Sequence, residues 1–187
     1  MKYEIILADP PWLYYGDPNK NAAAGKHYKC MKDKSIFDYP VPPKAKRCAL
    51  FLWATCPKLD LAISTLKAWG FHYRGVAYVW VKTRKDGGII NGQGIPPTFT
   101  KPTTEFLLAG SSNKRGRTGK ILIHNQPQVI FAPRTGKHSG KPAIFRDLIV
   151  DLLGDRPRIE LFARQRVPGW DAIGDELEDM PGGRRMA

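Results

Sequence analysis

Two apolar runs, Ile5-Ile6-Leu7-Ala8 and Cys48-Ala49-Leu50-Phe51-Leu52-Trp53-Ala54, are unbroken and too short for helices; they predict buried strands over 3–8 and 48–54. Between them, residues 12–43 are rich in Gly, Asn, Lys and Pro and show little period. So long a connection between core-like segments reads as an active-site lid. From Pro57 the period becomes helical. Leu59, Ala62, Ile63, Leu66 and Trp69 share one face, Pro57 suits the first turn and Gly70 the end. Strands are predicted over 76–81, 104–109 and 129–131, with a Gly- and Pro-rich loop over 83–103. Pro142 opens a helix whose face is Ile144, Phe145, Leu148, Ile149, Leu152 and Leu153, stopped by Gly154. A strand over 158–162, a short helix over 170–177 and a frayed Gly- and Arg-rich end complete the chain.

Strands alternating with helices predict an α/β fold with a mainly parallel central sheet and helices on both faces. One domain is expected over 1–180, with a flexible tail over 181–187. Ligands of such sheets sit at the carboxyl ends of the strands. Asp9 and Ala163 both fall there and are expected to share a crevice.

The charge narrows the partners. Lys and Arg number 30 against 17 acids, a net charge of +13 in 187 residues. That excess suits a polyanion, whose counterions are released on binding. Cys30, Cys48 and Cys56 are odd in number and no pair has the spacing of a metal knuckle, so no metal is assigned. No apolar stretch approaches the ~20 residues of a membrane span, and the first residues resemble a strand rather than a signal peptide. A reducing, cytoplasmic setting is expected.

The chemistry concentrates where the first strand ends, in Asp9-Pro10-Pro11-Trp12. Proline fixes φ and supplies no N–H, which leaves nearby carbonyls as acceptors. An amino group on an aromatic ring needs two acceptors, and Asp9 with the Pro10 carbonyl supplies them, with Trp12 covering the ring face.

This motif, with His27-Tyr28 and Met31, Leu52-Trp53-Ala54-Thr55, Trp80-Val81-Lys82, Ser139-Gly140-Lys141-Pro142, Arg158-Ile159-Glu160-Leu161-Phe162-Ala163-Arg164 and Gly169-Trp170, resembles the N6-adenine methyltransferase family. That family includes the catalytic subunit of the eukaryotic mRNA adenosine methyltransferase, with short stand-alone forms in bacteria and phages. The match spans about residues 3–177, in the family's order. It implies a Rossmann-like methyltransferase fold and S-adenosyl-L-methionine as methyl donor. Asp9, Pro10, Pro11 and Trp12 take the catalytic positions. Asp9, Ser139, Lys141, Phe162, Arg164, Asp175 and Glu176 take the donor's. Ala163 stands where the family has Gly, and Asp175 where it usually has Asn. Larger relatives have an acidic segment upstream that helps hold the donor's adenine; no counterpart is recognised, so a modest affinity or a different loop is expected.

Trp12, Tyr14, His27, Tyr28, Lys82 and Arg84 are the expected substrate contacts. Aromatics interleaved with Lys20, Lys26 and Lys29 suit a nucleic-acid-facing lid, although Tyr14 and Tyr15 equally suit packing beneath it. The clusters 82–85, 114–120 and Arg134 with Lys137 are read together as a phosphate track. Glu105, inside an apolar strand, is expected to pair with a Lys or Arg and is not assigned to catalysis. The expected partner is nucleic acid, DNA ahead of RNA, bound by a monomer or homodimer with room for a partner subunit. The rival reading is a methyltransferase-like partner chain that has lost catalysis and kept a basic surface. Amide methylation would call for Asn-Pro-Pro-Tyr, and zinc deamination for a His-x-Glu and Pro-Cys-x-x-Cys set; neither is present.

Overall fold

A computed structural model, describing residues 1–13, 30–90, 99–116, 119–135, 140–175 and 177, shows the first apolar run as strand β1, Tyr3–Ala8. Its last four residues are buried on both faces, as a central parallel strand must be. The second run extends to β2, Lys44–Thr55, four residues earlier than its apolar core, because Tyr3 pairs with Lys44. β3 (His72–Thr83), β4 (Thr104–Ser111), β5 (Val129–Pro133), β6 (Arg158–Leu161) and β7 (Asp171–Ile173) complete one sheet in the order β5-β3-β4-β2-β1-β6-β7. Only β4 runs antiparallel to its neighbours. The expected α/β architecture with a mainly parallel sheet is what the chain adopts.

Helix α2 (Leu59–Ala68) follows a 3-10 turn over Cys56–Lys58 and buries Ala62 and Leu66 on one face of the sheet. It stops where Gly70 takes a φ of 75°, a conformation that disfavours side chains. Helix α3 (Ile144–Leu153) covers the other face through Phe145, Ile149 and Leu153, each worth about 1.5–3 kcal/mol of burial. Phe145 meets Trp53 of β2 edge-on at 4.8 Å. Arg146 clamps Glu160 of β6 through two bonds of 2.7 and 2.8 Å.

Two elements differ from the sequence reading. Residues 33–37 form a short helix, α1 (Asp33–Phe37), inside the segment expected to be irregular. Its anchor is tertiary: Ile36 is fully buried, and the Trp69 indole N–H donates to the Ile36 carbonyl at 2.9 Å. The helix expected over 170–177 is instead β7 and a turn. Gly169 at φ 78° and Gly174 bracket only four residues, too few for a helix, and Asp171–Ile173 find partners on β6. The expected tail lies outside the described residues. Among the described residues no helix is long and apolar enough to cross a membrane.

Candidate active site

β1 delivers Asp9 to the carboxyl edge of the sheet, where its backbone N–H reaches Leu161 of β6 at 3.4 Å. The prolines then turn the chain sharply. The Trp12 N–H donates to the Pro10 carbonyl at 2.9 Å, and the Met31 N–H to the Pro11 carbonyl at 3.0 Å. This corrects the expectation of free carbonyls: Pro10 keeps one unused lone pair, not two. Trp12 is 4% exposed, and its indole N–H donates to the Trp53 carbonyl at 3.2 Å. It forms a wall of the site.

Four alternating charges run through this wall. Lys141 lies 2.7 Å from Asp9 Oδ2 and 3.3 Å from Glu105 Oε2, and Lys82 lies 2.6 Å from Glu105 Oε1. Burial pushes the Asp9 carboxyl above its ordinary range, and Lys141 offsets that only in part. For Glu105 burial acts the same way, but two lysines outweigh it and hold the carboxyl below the usual range. Burial opposes charge on Lys141, and its two carboxylates reverse that, raising its pKa. Asp9, Pro10, Trp12, Trp53, Glu105 and Lys141 enclose a niche of about 10 Å³, room for one water.

Asp9 also opens onto a larger cavity of about 670 Å³ beside β6, shared with Pro11, Met31, Tyr39, Phe162, Arg164 and Asp175. Its size suits a small-molecule ligand. Phe162 is the only described non-glycine residue at positive φ, 58°. Its ring turns to Tyr39, 4.4 Å away, and stacks toward Trp69 at 6.4 Å. Ala163 is buried and donates its N–H to the Ile173 carbonyl at 2.9 Å. The close approach falls on Gly174, where a Cβ would lie 2.0 Å from the Ala163 carbonyl oxygen. Ala163 is thus accommodated because its neighbour across the turn is the glycine.

The structure brings Asp9, Pro10, Pro11, Trp12, Phe162, Arg164 and Asp175 to one crevice. Lys141 stands in the niche between Asp9 and Glu105 and is absent from the lining of the larger cavity. Lys82 points into the site and neutralises Glu105 rather than reaching outward. Arg84 is exposed and paired with Asp86 in a hairpin. Tyr14, His27, Tyr28, Ser139 and Glu176 lie outside the described residues. The phosphate track divides. Residues 82–85 and Arg134 flank the carboxyl edge, but β4 descends to Ser111 opposite Ala49, so Lys114, Arg115 and Lys120 lie at the far end of the sheet. The expected pairing of Glu105 with a Lys or Arg is what the structure shows, with Lys82 and Lys141 as its partners, whereas Tyr39 carried no signal in the sequence.

The MT-A70 family model matches residues 3–176. The chain is 32% identical to the type II methyltransferase M.MunI of Mycoplasma sp, over 95% of this chain and 79% of that protein. It is 26% identical to the human N(6)-adenine-specific methyltransferase METTL4, over 94% of this chain and 37% of that protein. With the N6-methyladenosine RNA methyltransferase MTA1 of Pyricularia oryzae it shares 30%, over 94% of this chain and 47% of that one.

Proposed function

The chain belongs to the MT-A70 family of N6-adenine methyltransferases, and from that premise we propose that it moves a methyl group from S-adenosyl-L-methionine to the N6 amine of adenine in nucleic acid. One observation carries this: Asp9 is shared by the narrow niche and the large cavity, so acceptor and donor meet at a single carboxylate. The cavity's polar groups fit the donor, with Arg164 for a carboxylate and Asp175 for ribose hydroxyls. When bound, the donor supplies a methyl already activated on a sulfonium sulfur. The protein's part is therefore positioning and electrostatics.

Asp9 accepts one N6–H, and the remaining lone pair of the Pro10 carbonyl accepts the other. Held this way, the amine becomes pyramidal and its lone pair leaves the ring system. With the pair so exposed, the amine would take the methyl that the donor supplies, the C–S electrons staying with sulfur, and the displaced N6 proton would leave along its hydrogen bond to the Asp9 carboxylate. Admitting the base requires Lys141 to move from the niche, with Glu105 retaining its charge. We place DNA first, since the chain spans 79% of the type II methyltransferase it matches and under half of the other two relatives. RNA is second, on the resemblance to MTA1. The small volume of the niche favours one alternative, a partner chain without catalysis.

Incubation with methyl-labelled S-adenosyl-L-methionine and matched adenine-containing DNA and RNA oligonucleotides tests all three. Label on DNA, lost in Asp9→Ala, is expected. Donor binding with no label on either polymer would establish the inactive partner, and equal label on Asp9→Ala would overturn the mechanism.

A further inference from the structure

The large cavity extends past the groups assigned to the donor's methionine end. Asp9 and Arg164 stand near the niche, while Ser35 and Tyr39, from α1 and the turn after it, line the cavity with Asp175. We infer that the α1 segment, with Tyr39 as its main contact, holds the purine nucleoside half of the donor. The inference rests on the donor reading above and names which part of this chain serves it.

Tyr39 is preorganised for a flat ligand. Its N–H donates to the Ile36 carbonyl at 3.2 Å, and the Trp69 indole fixes that same carbonyl from α2. The Phe162 ring, which lines the same cavity, lies 4.4 Å from Tyr39 at 44°, and both rings pack toward Trp69. Phe162 and Trp69 therefore hold the Tyr39 ring in the cavity lining, where it meets a ligand. A purine face stacks on a ring already immobilised with little further loss of side-chain freedom. Around that face the polar chemistry is a nucleoside's. Asp175 accepts from sugar hydroxyls, Ser35 donates or accepts at the purine edge, and the Tyr39 hydroxyl adds a donor. Burial and the nearby Asp175 charge both raise the Tyr39 pKa, so the phenol keeps its proton at neutral pH.

Calorimetry of wild type, Tyr39→Leu, Tyr39→Phe and Ser35→Ala against S-adenosyl-L-methionine, 5′-methylthioadenosine and free methionine tests it. Tyr39→Leu should weaken the first two about tenfold or more, in the range of one missing base–aromatic stack. Tyr39→Phe, which keeps the ring and its packing on Phe162, should restore most of the affinity. In turnover, the KM for the donor should rise with kcat and the oligonucleotide KM unchanged. Saturation transfer to the purine H2 and H8 protons, relative to the methylthio protons of 5′-methylthioadenosine, should fall in Tyr39→Leu, a ratio that a purely structural Tyr39 would not move. Unchanged affinity in a folded Tyr39→Leu, or equal loss in Tyr39→Phe and Tyr39→Leu, overturns the inference while leaving the donor reading intact. Failure of the wild type to bind any adenosine-bearing ligand overturns both.

Discussion

Lys141 carries its ammonium across the crevice to within 2.7 Å of Asp9 Oδ2, so the proposed catalytic carboxylate is held by a cation before any substrate arrives. Burial raises the Asp9 pKa and Lys141 opposes it. In the proposed mechanism Asp9 acts as a carboxylate, so activity should fall as pH drops through its pKa. Removing Lys141 removes the opposing effect. In Lys141→Met the acid limb of kcat/KM should therefore move to higher pH. Lys141→Arg keeps the charge and should leave the limb near its wild-type position. A pH–rate profile of Lys141→Met that superimposes on the wild type would dissociate the lysine from Asp9.

Glu105 links the two lysines, and its role is separable from that of Asp9. Its folded-state pKa lies below the unfolded value, so its contribution to stability is full above the unfolded pKa of about 4.3 and is lost as pH falls through the folded value. Glu105→Gln should lower stability at pH 7. Losing one partner of a buried pair costs about 3–5 kcal/mol. Lys141 keeps Asp9 and Lys82 keeps some access to water, so about 2–3 kcal/mol is expected. In urea unfolding, the gap between variant and wild type should close as pH is lowered below about 4. A gap independent of pH would mean that the charge network is not what Glu105 contributes.

The apolar runs made β1, the core of β2 and α3 legible, because burial on both faces or a helical stripe leaves its mark on the residues themselves. β7 left little mark: its three residues carry no period, and their strand exists only because β6 offers a register. α1 rests on one buried side chain, Ile36, and on an indole hydrogen bond from a distant helix. In the site, Asp9 was legible as a strand end, and Arg164 through the family resemblance. The burial of Trp12 was not, because its hydrogen-bond partner lies on β2. The misplaced basic cluster has a similar origin. Periodicity finds β4 but not its direction, and an antiparallel β4 sends Lys114 and Arg115 away from Asp9.

Gly174 offers a test of how the chain accommodates Ala163. A methyl at 174 would lie 2.0 Å from the Ala163 oxygen and 2.7 Å from its nitrogen, both backbone atoms unable to give way cheaply. Gly174→Ala should cost about 1–3 kcal/mol of stability, the range for overpacking, and part the ends of β6 and β7. Thermal unfolding and donor titration should both register it, with affinity falling at least tenfold. Ala163→Gly adds no atom and should leave donor affinity within about twofold. Equal tolerance of both changes would show that the turn relaxes more readily than its packing indicates.

The division of the basic residues predicts a length-dependent response to salt. Arg84, Lys85 and Arg134 are exposed at the carboxyl edge, where a strand entering the niche would pass. Lys114, Arg115 and Lys120 sit beyond Ser111, six residues down the sheet from Glu105 and about 20 Å away at strand spacing. Each neutralised phosphate adds about 0.7–0.9 to the slope of log K against log salt. Alanine at the first three positions should flatten that slope by about one unit for every phosphate left without its cation, for short and long oligonucleotides alike. Alanine at the second three should leave binding of di- and trinucleotides unchanged, because so short a strand cannot span the distance. Binding titrations over a salt series with both triple variants decide the matter. Equal flattening by the two variants on the short oligonucleotide would mean that nucleic acid approaches across the sheet's flank and not along its carboxyl edge.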